Sequence, residues 1–258
     1  MFGEGVYEVI RVYGGKAFKL QAHADRLARS LTAIGIEPAG IPQALVDAAP
    51  KLLSENGLTD ANIYWQVTRG VTSPRSFVYG EASPISFAAA YPAEPLSTEG
   101  AATTGVLLAD DHRWADVWVK TTMLLPNTLA LNAAKAAGCD HALFVKDGVI
   151  TEGNSSNFFA IIEGELWTHP ANGRILDGIT RHLVMELAEK MNLRINEQGL
   201  YASDLADVEE AFLTGTNTEI TAVTCVSDMD GDSMTVGNGT VGSVTARLRE
   251  AYVQLIGA

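Results

Sequence analysis

The chain has 258 residues, 47% of them hydrophobic, enough to bury a sizeable core as two modest domains. Its formal net charge of -13 and pI near 4.7 argue against nucleic acid or an anionic membrane as the main partner, since both require a positive surface. Two cysteines without metal or disulfide spacing, no apolar run of the roughly 18 residues a spanning helix needs, and no export-type N-terminus point to a soluble cytoplasmic protein without a metal centre.

Val6 to Tyr13 and Lys16 to Leu20 flank Gly14-Gly15 and read as a β-hairpin. Helical spacing follows in Leu27, Leu31 and Ile34 and again from Ile41 through Leu53, then strands at Ala61 to Arg69 and Ile85 to Tyr91. Between Tyr91 and Gly105 the composition turns to proline, glycine, serine and small residues, as in an exposed connection. The expected organisation is a small α/β domain over 1–93, a linker over 94–104 and a larger domain over 105–258. In the larger domain strands are predicted at Val106 to Leu108, Val117 to Lys120, His141 to Val145, Val149 to Glu152, Phe158 to Ile162 and Glu210 to Thr214. Helices are predicted at Thr128 to Ala137, Thr180 to Met191 and Val241 to Leu255. The fold class is therefore α+β.

Two residues carry the chemistry. Lys120 ends its strand-like run beside Trp118, Val119 and Met123, and Glu152 lies in the small polar run Thr151-Glu152-Gly153-Asn154-Ser155-Ser156-Asn157. A lysine that holds an aldehyde and an acid that holds a ring nitrogen suit a pyridoxal phosphate (PLP) site. Lysine titrates at about 10.4, so imine formation needs a desolvated or charge-tuned amine. A carboxylate at the pyridine nitrogen keeps that nitrogen protonated and the ring a strong electron sink.

Other candidates read two ways. The predicted helix start at Gly178-Ile179-Thr180-Arg181 is a ready phosphate cradle, or Thr180 is simply a cap. Thr214 to Glu219 is an anion-binding turn or an ordinary polar one. Arg26 is a phosphate anchor or a surface ion pair; Tyr7 is a ligand contact or a half-buried strand tyrosine; Arg75 is a carboxylate fork or a solvated loop residue. His169, without an acid or second histidine at ligand spacing, reads as structural.

The stretches FGEGVYEV (2–9), HADRL (23–27), YWQVTRG (64–70), LLPNTLALNAAKAAG (124–138), TEGNSSN (151–157), THPANGRILDGITR (168–181) and FLTGTNTEITAV (212–223) together resemble the class IV aminotransferases, the fold-type IV PLP enzymes, and within them the D-amino-acid branch. The resemblance implies a small α/β N-terminal domain and a larger pseudo-barrel domain, PLP in the cleft, and a homodimer. It implies a ping-pong transfer of an amino group from a D-amino acid or primary amine to a 2-oxo acid. By it Lys120 is the catalytic Schiff-base lysine; Glu152, Arg26, Leu176, Ile179, Thr180, Thr216 and Ser155 bind the cofactor; Tyr7, Arg75 and Phe77 line the substrate site. Leu176 resembles the leucine packed behind the ring.

There are two departures. The family carries about one further strand pair ahead of FGEGVYEV, whose loss exposes a sheet edge. D-amino-acid enzymes show arginine, one residue, then histidine, whereas Arg75-Ser76 is followed by Phe77, which favours a more apolar substrate. The alternatives are a branched-chain L-aminotransferase, an (R)-amine transaminase, 4-amino-4-deoxychorismate lyase, or a PLP-binding protein without turnover.

Overall fold

A computed structural model describes residues 2–257. The chain divides into two compact units, Met1–Leu96 with Val119–Met123, and Ser97–Trp118 with Leu124–Ala258. The first crossing between the units follows Leu96, and residues 119–123, which include Lys120, belong to the first unit.

The first unit is a four-stranded antiparallel sheet, β1 (Gly5–Tyr13), β2 (Lys16–Ala17), β3 (Ala61–Thr68) and β4 (Ile85–Pro92), in the order β2-β1-β3-β4. Gly14 and Gly15 both have positive φ, as the two-residue turn between β1 and β2 requires. Helices α1 (Leu20–Ala33) and α2 (Ile41–Asn56) supply Leu27, Leu31, Leu45 and Leu53 to a core shared with Val6, Ile10, Ile63, Trp65 and Val67. Burial alternates strictly along β3, so Tyr64 and Gln66 share the face opposite that core, next to Tyr7 through the Tyr7–Gln66 register pair.

The edge of β1 near its start is partly covered from within the chain. Thr121 forms a bridge with Val6, Tyr7 N–H donates to Lys120 O at 3.0 Å, and Thr122 N–H donates to Gly5 O at 2.9 Å. The predicted strand Val117 to Lys120 is corrected here: the segment is irregular, and its ladder-like bonds begin only where it reaches β1.

The second unit holds β5 (Thr103–Asp110), β6 (His141–Lys146), β7 (Val149–Gly153), β8 (Asn157–Ile162), β9 (Glu165–Thr168), β10 (Ile195–Glu197), β11 (Leu200–Tyr201), β12 (Glu210–Gly215), β13 (Glu219–Ser227) and β14 (Ser233–Thr235). They form one curled sheet in the order β10-β9-β8-β12-β13-β5-β6-β7-β11, with β14 on β13. Helices α3 (Leu125–Ala136), α4 (Ile179–Lys190) and α5 (Ser243–Gly257) accompany it. This is an α+β architecture in two units, as the resemblance implies. Strands β9, β10, β11, β13 and β14 have no counterpart among the sequence expectations, although β13 is central, between β12 and β5. Among the described residues no helix is long and apolar enough to cross a membrane, and no group of three or more His, Cys, Asp or Glu could hold a metal ion.

Candidate active site

In the first unit the sheet presents different chemistry on its two faces. Tyr7 and Glu8 are neighbours on β1, so their side chains alternate. On one face Lys120 Nζ donates to Tyr7 Oη at 3.2 Å and sits 4.3 Å from the centre of that ring. Tyr7 stacks on Tyr64 with ring centres 5.8 Å apart. Among the described residues no carboxylate pairs with Lys120. On the other face Glu8 is fully buried and receives Arg26 Nε at 2.7 Å, Arg26 Nη2 at 2.8 Å and a 2.7 Å contact with His23 Nδ1. Burial alone would raise the Glu8 carboxyl, but Arg26 and His23 overcome it and hold the group at about 2. Burial lowers the pKa of His23 despite Glu8, which favours neutral imidazole. Arg26 is therefore a buried, carboxylate-anchored guanidinium, not a surface ion pair.

Arg75 and Phe77 lie on the loop after β3. The guanidinium stands over the rings of Phe2 and Phe77, at 4.3 and 5.2 Å from their centres, and Phe77 is 80% exposed.

In the second unit Glu152 is buried on β7 inside a ring of donors. Arg113 Nη1 approaches Oε1 at 2.5 Å, Asn157 Nδ2 donates to Oε2 at 2.9 Å, and Leu176 N–H lies 3.1 Å from both oxygens. Asn157 also donates to Leu176 O at 2.8 Å, so Leu176 enters this site through its main chain. Arg113 is shared. Its Nε and Nη2 clasp Asp111 at 2.9 and 2.7 Å, and Thr151 Oγ1 donates to Asp111 at 3.1 Å. Burial raises the Asp111 carboxyl, but the clasp outweighs it and the net shift is downward. Glu152, with the single Arg113 contact, is shifted upward, burial outweighing Arg113 and the Leu176 amide. Two buried carboxylates thus share one guanidinium, and the negative charge of Glu152 is the less compensated of the two. A protonated ring nitrogen would neutralise it.

The run around Glu152 folds as it does for local reasons. A Cβ on Gly153 would lie 2.3 Å from Ser156 Oγ and 3.2 Å from Ser156 O, so a larger residue there would have to push the Ser156 side chain aside and crowd its carbonyl. Asn154 locks the turn to β6, its N–H donating to Ala142 O at 2.9 Å and its Oδ1 accepting from Ala142 N–H at 3.0 Å. Ser155 is exposed. Thr180 is buried in the first turn of α4, after an extended Gly178. A Cβ on Gly178 would meet Asn157 Oδ1 at 2.0 Å, so the residue that bridges Glu152 and Leu176 also fixes the start of that helix. Thr216 is half-buried in the turn between β12 and β13, and Thr214 Oγ1 beside it is buried without a partner. A pocket of about 280 Å³ lined by Asp111, Arg113, Trp114, Val117, Lys146 and Arg174 backs the Arg113 clasp and holds none of the expected residues. Lys146 there donates to the main-chain oxygen of Asp111, not to its carboxylate.

The Amino-transferase class IV family model matches residues 5–226. The chain belongs to this family. It is similar to the D-alanine aminotransferase of Bacillus licheniformis, 35% identical over 97% of this chain and 87% of that one. A D-alanine aminotransferase of Listeria monocytogenes is 34% identical over 99% and 88%. Among solved structures, the branched-chain amino acid aminotransferase from Escherichia coli superposes with a TM-score of 0.87 at 28% identity, covering 99% of this chain and 85% of that one. A putative 4-amino-4-deoxychorismate lyase from Legionella pneumophila, at 21% identity and a TM-score of 0.84, shares the fold. As a class IV member the protein is a PLP-dependent aminotransferase.

Sequence reasoning passed over Asp111, Arg113, Asn157, Glu8 and His23. Arg113 and Glu152 are 39 positions apart, and no local pattern announces such a pair. The signal that was available is the charged triplet Asp111-His112-Arg113 just before Lys120.

Proposed function

We propose that this aminotransferase moves the amino group of a D-amino acid, D-alanine foremost, to a 2-oxo acid such as 2-oxoglutarate. PLP is the cofactor. In this reading Lys120 Nζ holds the aldehyde and Glu152 the ring nitrogen; Arg26, Ile179, Thr180 and Thr216 hold the phosphate, Ser155 belongs to the cofactor site, and Leu176 lies against the ring. Tyr7, Arg75 and Phe77 receive the substrate. The observation that carries the reading is the charge imbalance at Glu152, where Asp111 and Glu152 share Arg113.

Bound PLP supplies an electron-withdrawing ring able to stabilise negative charge at the substrate Cα. The chain's own groups do the rest. Tyr7 Oη orients Lys120 Nζ, which takes the Cα proton as general base. An upward-shifted Glu152 is a stronger acceptor than an ordinary carboxylate for a ring N–H, and the Arg113 bond favours its charged form against the burial that raises it. The D-alanine assignment draws on the relatives at 34–35% identity.

The second reading, a branched-chain substrate, is favoured by Phe77 in place of a polar group and by the branched-chain fold neighbours. The same proposal makes the enzyme a cytoplasmic homodimer. Phe77, Tyr79, Ile85 and Phe87 are each more than half exposed, an apolar surface that a second copy would cover.

The test is a paired assay of D-alanine, L-leucine and (R)-1-phenylethylamine, each with 2-oxoglutarate, on the wild type and on Lys120→Ala. D-Alanine should turn over fastest, and the variant should lose activity by at least three orders of magnitude. Faster turnover of L-leucine would overturn the donor, and an active variant would remove Lys120 from the chemistry.

A further inference from the structure

The turn that carries Thr216 has a carboxylate at its exit. Glu219 opens β13 and pairs in register with Gly215, the last residue of β12, so it closes the turn on which Thr216 sits. Its φ of 52° is in the left-handed region, disfavoured for a residue with a Cβ. Its side chain is 14% exposed and meets Arg249 Nη2 of α5 at 2.7 Å, the arginine itself being 6% exposed. The same Nη2 donates to Ser97 O at 3.0 Å, and Thr221 Oγ1 ties the turn from its other side by donating to Thr218 O at 2.8 Å.

A phosphate ester carries between one and two negative charges near neutrality. A poorly solvated carboxylate three residues from its proposed ligand would repel it strongly, because like charges interact far more in a partly dry environment than in water. The Arg249 guanidinium cancels that charge. Arg249 Nη1 is buried without a partner, and a buried ion pair with an unmet donor adds little net stability over apolar packing. Local charge and geometry are what the pair controls.

We propose that Arg249 is a positioning residue for the phosphate end of the cofactor. It neutralises Glu219 and pins the 216–218 turn, so that Thr216 and the turn amides can accept an anion. The inference rests on the assignment of Thr216 to the phosphate.

The experiment compares the affinity of the cofactor-stripped full-length protein for PLP and for pyridoxal, which lacks the phosphate, by absorbance titration. Arg249→Met should weaken PLP binding at least tenfold while changing pyridoxal binding less than twofold. Adding Glu219→Gln to that variant should recover most of the loss, and Glu219→Gln alone, which keeps Arg249, should bind PLP more tightly. Equal losses for the two ligands, or no recovery in the double variant, would reduce Arg249 to a structural role and overturn the proposal. Thr216→Val separates the two levels. If it leaves the preference for PLP over pyridoxal intact, the phosphate assignment itself fails; if it removes that preference while Arg249→Met does not, only the role of Arg249 fails.

Discussion

Replacing Glu8 by glutamine isolates the electrostatics of the first unit. The carboxylate is wholly buried, held by two Arg26 bonds of 2.7 and 2.8 Å and by His23 at 2.7 Å. Burial pushes its pKa up, yet these partners bring it from the ordinary 4.5 down to about 2. At about 1.4 kcal/mol per pH decade the drop corresponds to about 3 kcal/mol of folding stability. Because the folded value is depressed, that contribution is complete above pH 4.5 and disappears as pH falls toward 2. His23, also depressed but from 6.5, withdraws its own share at higher pH, from 6.5 downward, so the two windows separate. Urea unfolding followed by circular dichroism at a series of pH values should show Glu8→Gln less stable by about 3 kcal/mol at pH 7. The gap between variant and wild type should narrow steadily below pH 4.5. A gap that stays constant from pH 6 to pH 3, or one below about 0.5 kcal/mol at pH 7, would refute the reasoning, because it would mean the ionised form of Glu8 is not what Arg26 and His23 stabilise.

Three further outcomes are expected. Arg113→Met leaves Glu152 and Asp111 without their shared cation; it should cost about 3–5 kcal/mol in denaturant unfolding and weaken PLP binding in a spectroscopic titration at least tenfold. Gly178→Ala drives a methyl against Asn157 Oδ1, 2.0 Å away, and should lower stability by about 1–3 kcal/mol with a fall in melting temperature visible by calorimetry. Glu210→Ala removes the acceptor for the N–H groups of Val244 and Thr245, at 3.0 and 2.8 Å, and should destabilise α5 by about 1–2 kcal/mol, seen as faster amide exchange in its first turn.

The readable parts of this protein are those whose signal is local. The Gly14-Gly15 hairpin, the strict alternation of β3 and the starts of α2 and α4 follow from neighbours in sequence, whereas α1 begins at Leu20, ahead of the Leu27, Leu31 and Ile34 spacing that signals it. Lys120 and Glu152 are proposed from residue chemistry and motif order. The failures are nonlocal. Val117 to Lys120 has the residues of a strand, but it lacks a partner strand and remains irregular until it meets β1. β13 mixes threonines and a cysteine with its valines in a pattern of burial that does not alternate cleanly, because its register against β5 shifts between Val223 and Cys225. Arg113 and Asn157 matter only through what folding brings to Glu152. Leu176 contributes main-chain groups there, which no side-chain pattern reports.

The short excursion at 119–123 has a consequence for how the molecule can be taken apart. The backbone passes from one unit to the other three times, after Leu96, Trp118 and Met123. No single cut therefore liberates an intact N-terminal half: a fragment ending at residue 96 would leave without the pentapeptide that seals part of its outermost ladder, and without Lys120. Rearranged genes that restore this stretch, by grafting it behind residue 96 through a flexible tether, are the route to an autonomous piece.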